Sequence, residues 1–352
     1  MRNIDVFNGD ADGICSLHQL RLAEPVDGVL VTGLKRDIGL LARVQGGPDR
    51  VVTVLDISLD RNRQDLLRLL SEGASVLYFD HHVAHDVPEH PRLQAYIDAS
   101  PQVCTAILVD RYLQGRYAAW AVVAAFGDGL RAAAQSLADS VGLDRGQQSM
   151  LCQLGEVLNY NSYGETAADV LIHPHLLYGI VHRYEDPFEL CAHEPVLAAL
   201  TNRMDADLAL AWCIVPMYED AHCRVHRLPD AAWSRRVMGT FANRLADREG
   251  GSTCVVLKDN GDASLSASVR LPRAMVPEAA DDADHFCRRF GGAGRKGAAG
   301  VDRLPLPRLD DFLGALRTAS QRWAARCTTP AGELRRSTAM PPDAGIDPGR
   351  TP

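Results

Sequence analysis

The sequence predicts an α/β protein: a doubly wound, mainly parallel sheet, a helical connector and a second, smaller α/β domain. Three observations carry this expectation. Short, nearly unbroken apolar runs alternate with helical spacing over the first 130 residues, and strands this apolar are buried on both faces beneath helices. Three of those runs stop in acidic or acidic-plus-histidine clusters, at the strand ends where open α/β sheets bind ligands. Beyond Arg227 the pattern changes and strand signals return around a hairpin turn.

In order, Ile4–Phe7 is a strand ending in Asn8-Gly9-Asp10-Ala11-Asp12-Gly13, and Ile14–Leu22 is a helix. Val29–Thr32 and Val51–Leu55 are strands, the second stopping at Asp56. Arg61–Glu72 has helical spacing, and Ser75–Phe79 is a strand that stops at Asp80-His81-His82. Val103–Leu113 and Ala118–Phe126 read as helices, the latter followed by Gly127-Asp128-Gly129. From Leu130 to about His226 the pattern is helical, interrupted by a polar loop at Asn159–Gly164. Thr253–Leu257 and Ala263–Arg270 flank the turn Asp259-Asn260-Gly261-Asp262, a hairpin signal. Asp282–Phe290 and Leu309–Arg322 are helices separated by a glycine-rich loop, Gly291–Gly300. The expected division is 1–150, 151–226 as connector, 227–325, and a tail at 326–352 whose Pro, Gly, Thr and Asp content predicts disorder.

Composition excludes several classes. The 352 residues carry 37 Lys and Arg against 45 Asp and Glu, a net charge of −8, which argues against a protein that coats duplex DNA electrostatically. The nine cysteines form no Cys-x-x-Cys, so neither a disulfide framework nor a zinc ribbon is expected. The first residues run straight into a strand, and no segment reaches the ~18 apolar residues of a membrane span. These signs predict a cytoplasmic protein without a membrane partner. Cys15, Cys104 and Cys287 are expected in packed helices, and His173 and His175 in a surface loop.

The chemistry lies in Asp10, Asp12, Asp56, Asp80, His81, His82 and Asp128, supplied by four separate segments. Each is ordinary alone: Asp-x-Asp-Gly commonly caps a helix, and Asp after a strand is a usual turn residue. Together at one sheet edge they repel one another and lose water, unless divalent cations neutralise them. Carboxylates with imidazole suit Mn²⁺ or Mg²⁺, and two such ions clamp a phosphate and acidify a bridging water.

These residues resemble the four motifs of the DHH phosphoesterase superfamily, in order: Asn8-Gly9-Asp10-Ala11-Asp12-Gly13, Val54-Leu55-Asp56, Asp80-His81-His82 and Gly127-Asp128-Gly129. The run Gly291–Gly300 resembles the glycine motif of the DHH-associated C-terminal domain. The resemblance spans roughly residues 1–325. It implies two Mn²⁺ ions, with Mg²⁺ or Co²⁺ as substitutes. Asp56 would bridge them, Asp10 would hold the first with help from Asn8 or water, and Asp12, His81 and Asp128 would complete the second. Asp80 would orient its histidine neighbours and His82 would face the substrate phosphate. Asp56, His82 and Asp80 are thus the expected catalytic residues, and His82, Arg270, Gly292, Gly294, Arg295 and Lys296 the expected substrate contacts. A glycine-rich turn exposes N–H groups to anions, and Arg adds a phosphate fork.

Two positions depart from the pattern. Val6 stands where many members have His, and Asn8 where exonuclease-like members are acidic, leaving the first ion fewer ligands. The glycine motif continues as Arg295-Lys296 where His is frequent. The activity implied is hydrolysis of phosphodiester bonds in short oligonucleotides or dinucleotides by a hydroxide activated between two metals. The alternatives are an exopolyphosphatase or pyrophosphatase, favoured by the few aromatics near the motifs, and a non-catalytic nucleotide-binding regulator. The expected partner is a small phosphorylated substrate, and a homodimer is compatible with the sequence.

Overall fold

The computed structural model describes residues 2–272, 275 and 281–327. Apart from Arg326 and Cys327, the expected tail lies outside the described residues. The first lobe starts with β1 (Arg2–Asn8), α1 (Ala11–Ala23), β2 (Gly28–Gly33), β3 (Arg50–Leu55), α2 (Leu59–Ser71), β4 (Ser75–Asp80) and β5 (Leu93–Ile97). The strands form one parallel sheet in the order β2-β1-β3-β4-β5. The chain reverses its direction of travel across the sheet between β1 and β3, and a crevice opens at such a reversal beyond the strands' carboxyl ends.

Both faces of the sheet are covered, which is why its central strands read as continuous apolar runs. Phe7, Leu55 and Phe79 join α1, α3 (Thr105–Tyr112) and α4 (Ala118–Gly127) in one apolar layer. Ile4, Val6, Val52, Val54 and Tyr78 form the opposite layer with Leu66, Leu69 and Leu70 of α2. Val6 is fully buried there, an apolar side chain serving the core. Strand β5 was not expected: Leu-Gln-Ala-Tyr-Ile alternates between half-buried and exposed positions, as an edge strand does, and lacks the apolar run of its neighbours.

The helical connector follows as α5 (Arg131–Ser140), α6 (Arg145–Ser162), α7 (Pro174–Val181), α8 (Pro187–His193) and α9 (Pro195–Trp212). Asp144 and Gln147 close a reciprocal capping box at the start of α6, satisfying donors that a helix end leaves orphaned. The polar stretch expected as a loop at Asn159–Gly164 is helical through Ser162. Its polar groups find partners inside: the Tyr160 hydroxyl donates to Asp207 at 2.7 Å, and Asn161 pairs with both backbone groups of Ile172 at 2.7 and 3.1 Å.

The second lobe contains β6 (Tyr218–Glu219), β7 (Cys223–Leu228), α10 (Ala232–Glu249), β8 (Thr253–Asp259), β9 (Ser264–Arg270), α11 (Ala283–Arg288), β10 (Ala293–Arg295), β11 (Ala298–Pro305) and α12 (Leu309–Ala324). The sheet order is β10-β11-β9-β8-β7-β6. It is antiparallel except for β7 and β8, which α10 connects in parallel. The hairpin of β8 and β9 is as expected. Strands β6 and β7 correct the reading of residues up to His226 as helical. In β7, Cys223, Val225 and Leu228 are buried while Arg224 and Arg227 are half-exposed. The expected glycine-rich loop is a second hairpin, β10 and β11, turning at Lys296-Gly297. Gly292 permits its entry, because a Cβ there would lie 2.1 Å from the Gly300 carbonyl.

Helix α10 joins the lobes. Its Val237, Phe241 and Leu245 share a core with α6, α9 and β8, and buried Arg236 donates to Asp207 and the Tyr160 hydroxyl at 2.7 and 3.0 Å. All nine cysteines are free, and Cys15, Cys104 and Cys287 are buried. No helix among the described residues is long and apolar enough to cross a membrane.

Candidate metal centre

The site forms at the carboxyl ends of β1, β3 and β4. Asp10 caps α1, one carboxylate oxygen accepting from the Asp12 and Gly13 N–H groups at 3.1 Å each. That cap turns Asp12 inward, where its two oxygens accept from the Ala106 and Thr105 N–H groups at the start of α3, both at 2.8 Å. A helix N-terminus carries partial positive charge and unpaired donors, so it holds a buried carboxylate well.

Asp56 follows β3 with φ +57°, a left-handed conformation that a residue with a Cβ rarely adopts. Its N–H donates to the Phe79 carbonyl at 3.1 Å, and its carboxylate accepts from the Thr105 hydroxyl at 3.4 Å. Asp128 caps the end of α4. It reaches the site because α4 approaches α1 and α6 closely: a Cβ at Gly127 would lie 2.5 Å from the Ala11 Cβ and 2.9 Å from the Gly155 carbonyl.

His81 Nε2 is the meeting point. It lies 3.4 Å from Asp56 Oδ1 and 3.9 Å from both Asp12 Oδ2 and Asp128 Oδ2. The donors of Asp12, His81 and Asp128 lie close enough to share one divalent ion, whereas Asp56 groups with the two histidines. Two sets of donor atoms have mutual distances that suit a metal: Asp12, His81 and Asp128, and Asp56, His81 and His82. Three carboxylates with one imidazole fit Mn²⁺ or Mg²⁺.

The electrostatics fit a cation. Burial, then the charges of Asp10 and Asp12, push Asp56 well above the usual carboxylate range. Burial likewise raises Asp12, against the pull of His81. Burial disfavours a charged His81, but the hydrogen bond and charge of Asp56, with Asp12 and Asp128, outweigh it and push His81 up to about 10. Asp128 is held well below the usual range because Lys35, His81 and Arg295 overcome its desolvation.

Asp80, fully buried, accepts from the His82 ring and N–H at 2.6 and 3.1 Å and from the Leu59 N–H at 3.2 Å. It therefore orients His82, whose ring is half-exposed on the cleft. His81 has no such contact with it among the hydrogen bonds of the described residues.

The remaining expected residues divide. Arg295, at the end of β10, crosses from the second lobe to Asp128 at 3.2 Å. With Lys296 and Gly294 it lines a cleft of about 1000 Å³ shared with Asn8, Asp10, Asp56, His81 and His82. Arg270 lies one cavity away, beside Tyr163, its guanidinium donating to Asn243 at 2.7 Å. The Gly294 N–H donates to Asp284 at 2.8 Å, so it is committed within the protein. Gly292 lines none of these cavities. His173 caps α7 rather than binding in a cluster.

Asn8 and Asp10 stand apart from the His81 cluster. The Asn8 side-chain amide oxygen, Oδ1, is buried without a hydrogen-bond partner. The second oxygen of Asp10 is taken by Lys35 Nζ at 2.5 Å, which also lies 3.3 Å from Asn159 Oδ1 and 3.6 Å from Asp128 Oδ1. Burial disfavours the ammonium, but Asp10, Tyr163 and Asp128 together outweigh it and hold Lys35 well above its ordinary range. Sequence reading missed Lys35. The signal was available, since Lys35 stands two residues beyond β2, at the edge that singled out Asp10 and Asp56. Arg61, also missed, lines the same cleft.

No protein-family model matches the chain, and no curated protein matches its sequence. Solved structures do. The exonuclease RecJ bound to manganese superposes over 92% of both chains with TM-score 0.56 at 19% identity. RecJ of Thermus thermophilus with Mn²⁺ gives 0.58 at 18% identity, over 91% of this chain and 52% of that one. The pGpG-specific phosphodiesterase PggH of Vibrio cholerae gives 0.51 at 13% identity, over 92% of this chain and all of that one. This chain spans about half the length of the Thermus protein. It has the two-lobed fold of these proteins, the fold that the DHH resemblance implied.

Proposed function

We propose that this protein is a divalent-metal-dependent phosphohydrolase of the DHH type that cleaves phosphodiester bonds in short oligonucleotides or dinucleotides. The observation that supports it best is the convergence of Asp12, Asp56 and Asp128 on His81 Nε2 within 3.4–3.9 Å, beneath Arg295 of the facing lobe. A bound divalent ion supplies a Lewis acid that neutralises phosphoryl charge and acidifies water.

The chain's own residues supply the rest. His82, locked by Asp80, presents its second ring nitrogen to a phosphoryl oxygen. Arg295 and Lys296 offer donors to the non-reacting oxygens from the opposite wall. Arg270 and Tyr163 line two adjoining cavities of about 410 and 430 Å³, where Arg270 binds a second phosphate and Tyr163 stacks a base. The fold shared with an exonuclease and a pGpG phosphodiesterase agrees with this reading.

The second reading is a polyphosphatase. It is favoured by the main cleft itself, which is lined by Lys35, Arg61, Arg295 and Lys296 but by no Phe, Tyr or Trp among the described residues. The test is turnover of linear and cyclic dinucleotides, short oligonucleotides, pyrophosphate and polyphosphate with Mn²⁺. Dinucleotide cleavage that is lost about 1000-fold in Asp56→Asn is the expected result. Cleavage of phosphoanhydrides alone would assign the second reading, and binding without hydrolysis under Mn²⁺, Mg²⁺ and Co²⁺ would leave a regulator.

A further inference from the structure

We propose that the protein binds a small hydroxyl-bearing phosphomonoester, of the class of sugar phosphates and nucleoside monophosphates, in a cavity at the amino ends of β1, β2 and β3. The cavity holds about 600 Å³, a volume within the ~300–1,000 Å³ usual for small-molecule sites. It is lined by Arg2 and Asp5 of β1, Arg21 in the last turn of α1, Arg50 at the start of β3, Tyr178 of α7 and His182 just after it. A strand rise of about 3.3 Å per residue puts Arg2 about 20 Å from Asn8 along β1, so this cavity is separate from the metal cleft at the carboxyl ends.

The arginines have donors to spare. Arg235 and Arg236, comparably buried, are paired with Asp169 and Asp207. Arg50 is not so paired. Its side chain is 18% exposed, its carboxylate neighbour Asp49 lies 3.9 Å away, and its Nε is buried without a hydrogen-bond partner. Buried polar atoms are as a rule satisfied, so an unpartnered guanidinium beside a cavity marks a place for an anion. Arg21 spends Nε and Nη2 on Asp5, and Nη2 also donates to Thr53 at 3.1 Å. Its Nη1 takes no hydrogen bond among the described residues. With Asp5 neutralised by Arg21, the lining retains Arg2 and Arg50 against one exposed carboxylate, Asp27. Planar guanidinium forks suit phosphate oxygens.

His182 supplies the rest of the ligand class. His18 Nε2 lies 2.9 Å from the Tyr184 carbonyl, which can only accept, so His18 carries its proton there and its Nδ1 is an acceptor. His182 Nδ1, 3.1 Å from that atom, therefore carries the proton of the pair. Burial, with Arg21 second, holds His182 below the ordinary imidazole range, so its Nε2 is a bare acceptor without a partner among the described residues. An acceptor beside arginines does not serve a phosphate oxygen; it serves a hydroxyl on the same ligand. The Tyr178 hydroxyl, likewise unpartnered among the described residues, adds a donor, and exposed Val26 and Val29 add an apolar wall. The inference stands apart from the proposed function, although a nucleoside monophosphate is also what cleavage of a short oligonucleotide would release.

The experiment separates this cavity from the metal cleft. Full-length protein freed of divalent ions is titrated by calorimetry with adenosine monophosphate, ribose 5-phosphate and inorganic phosphate, as wild type, Arg50→Gln and Arg295→Gln. The organic phosphates should bind, and more tightly than inorganic phosphate; the tighter of the two names the source. Arg50→Gln should weaken them about tenfold or more, and Arg295→Gln should not. Hydrogen exchange on the wild type should show adenosine monophosphate protecting residues 174–184, which decides the matter even if Arg50→Gln does not fold. No binding at millimolar concentration, binding lost in Arg295→Gln but kept in folded Arg50→Gln, or protection confined to residues 291–300 would overturn the site. Inorganic phosphate bound as tightly as the organic phosphates would overturn the role of His182 and the ligand class. The metal-dependent reading is tested by turnover with Mn²⁺, so the two can fail independently.

Discussion

Asp56 shows how much the centre asks of one residue. It is buried among carboxylates and held at φ +57°, a backbone state that costs a residue with a Cβ roughly 1 kcal/mol or more. Both burdens serve the placement of its oxygen 3.4 Å from His81 Nε2. Asp56→Gly should therefore raise the thermal stability of chelator-treated protein by about 1 kcal/mol while eliminating Mn²⁺ binding, which paired calorimetric scans with and without metal would read. Asp80 works at one remove. It touches the His82 ring and two backbone N–H groups, so Asp80→Asn frees the ring without removing a metal donor. Turnover should fall about 10–100-fold with Mn²⁺ affinity preserved. Equal loss of metal binding would instead make Asp80 a structural support of the whole cluster.

At the scale of elements, two contacts carry consequences. Gly127 lets α4 lie against α1 and α6. Gly127→Ala should cost about 1–3 kcal/mol by overpacking and weaken Mn²⁺ binding, because it displaces the helix end that carries Asp128. The second contact pins α1 to the end of α7. His18, fully buried, pairs through Nδ1 with His182 Nδ1 at 3.1 Å and through Nε2 with the Tyr184 carbonyl at 2.9 Å. Burial, aided by His182, lowers His18 to about 3. A histidine whose folded pKa is depressed favours the folded state fully above its unfolded value near 6.5 and loses that contribution as pH falls toward 3. The stability advantage of the wild type over His18→Gln should thus shrink steadily from about pH 6.5 to about pH 4 in chemical denaturation. A pH-independent difference would mean that His18 titrates alike in the folded and unfolded states.

At the scale of the molecule, four carboxylates collected at one crevice are a standing repulsion that a bound cation relieves. Mn²⁺ at about 100 times its dissociation constant should stabilise the fold by about 2.7 kcal/mol through mass action, seen as a rise in melting temperature that EDTA reverses. The lobes are tied behind the cleft by α10, through Arg236 with Asp207. Among the described residues, two ion pairs cross the cleft: Arg36 to Asp302 at 3.6 Å, exposed on both sides, and half-exposed Arg295 to the largely buried Asp128. The exposed pair is weak, so under the proposed function the cleft is expected to open and close with α10 as the fixed edge. Under the proposed function, salt at about 0.5 M should raise the Michaelis constant for the cleaved substrate more than it lowers turnover, since Arg295 and Lys296, the cations proposed to face the phosphate, are screened.

The sequence by itself determined the parallel sheet and the acidic residues of the candidate centre. Apolar runs buried on both faces leave no ambiguity of period, and a carboxylate at the end of such a run has one crevice to enter. That is why Asp12, Asp56, His81 and Asp128 were legible together, and why the glycine-flanked position of Asp128 at the end of α4 was too. Strands β5 and β7 were not, because an edge strand and a strand with arginines on one face lack that run. The hairpin of β10 and β11 hid behind glycines that read equally as loop. Tertiary structure alone decided the partners of polar groups. Lys35, one cation in a Lys-Arg pair, reads locally as a solubilising residue. It becomes part of the centre only because β2 lies beside β1, placing its ammonium on Asp10. Apolar burial is written into periodicity along the chain, whereas the pairing of charges depends on which chain ends the fold brings together.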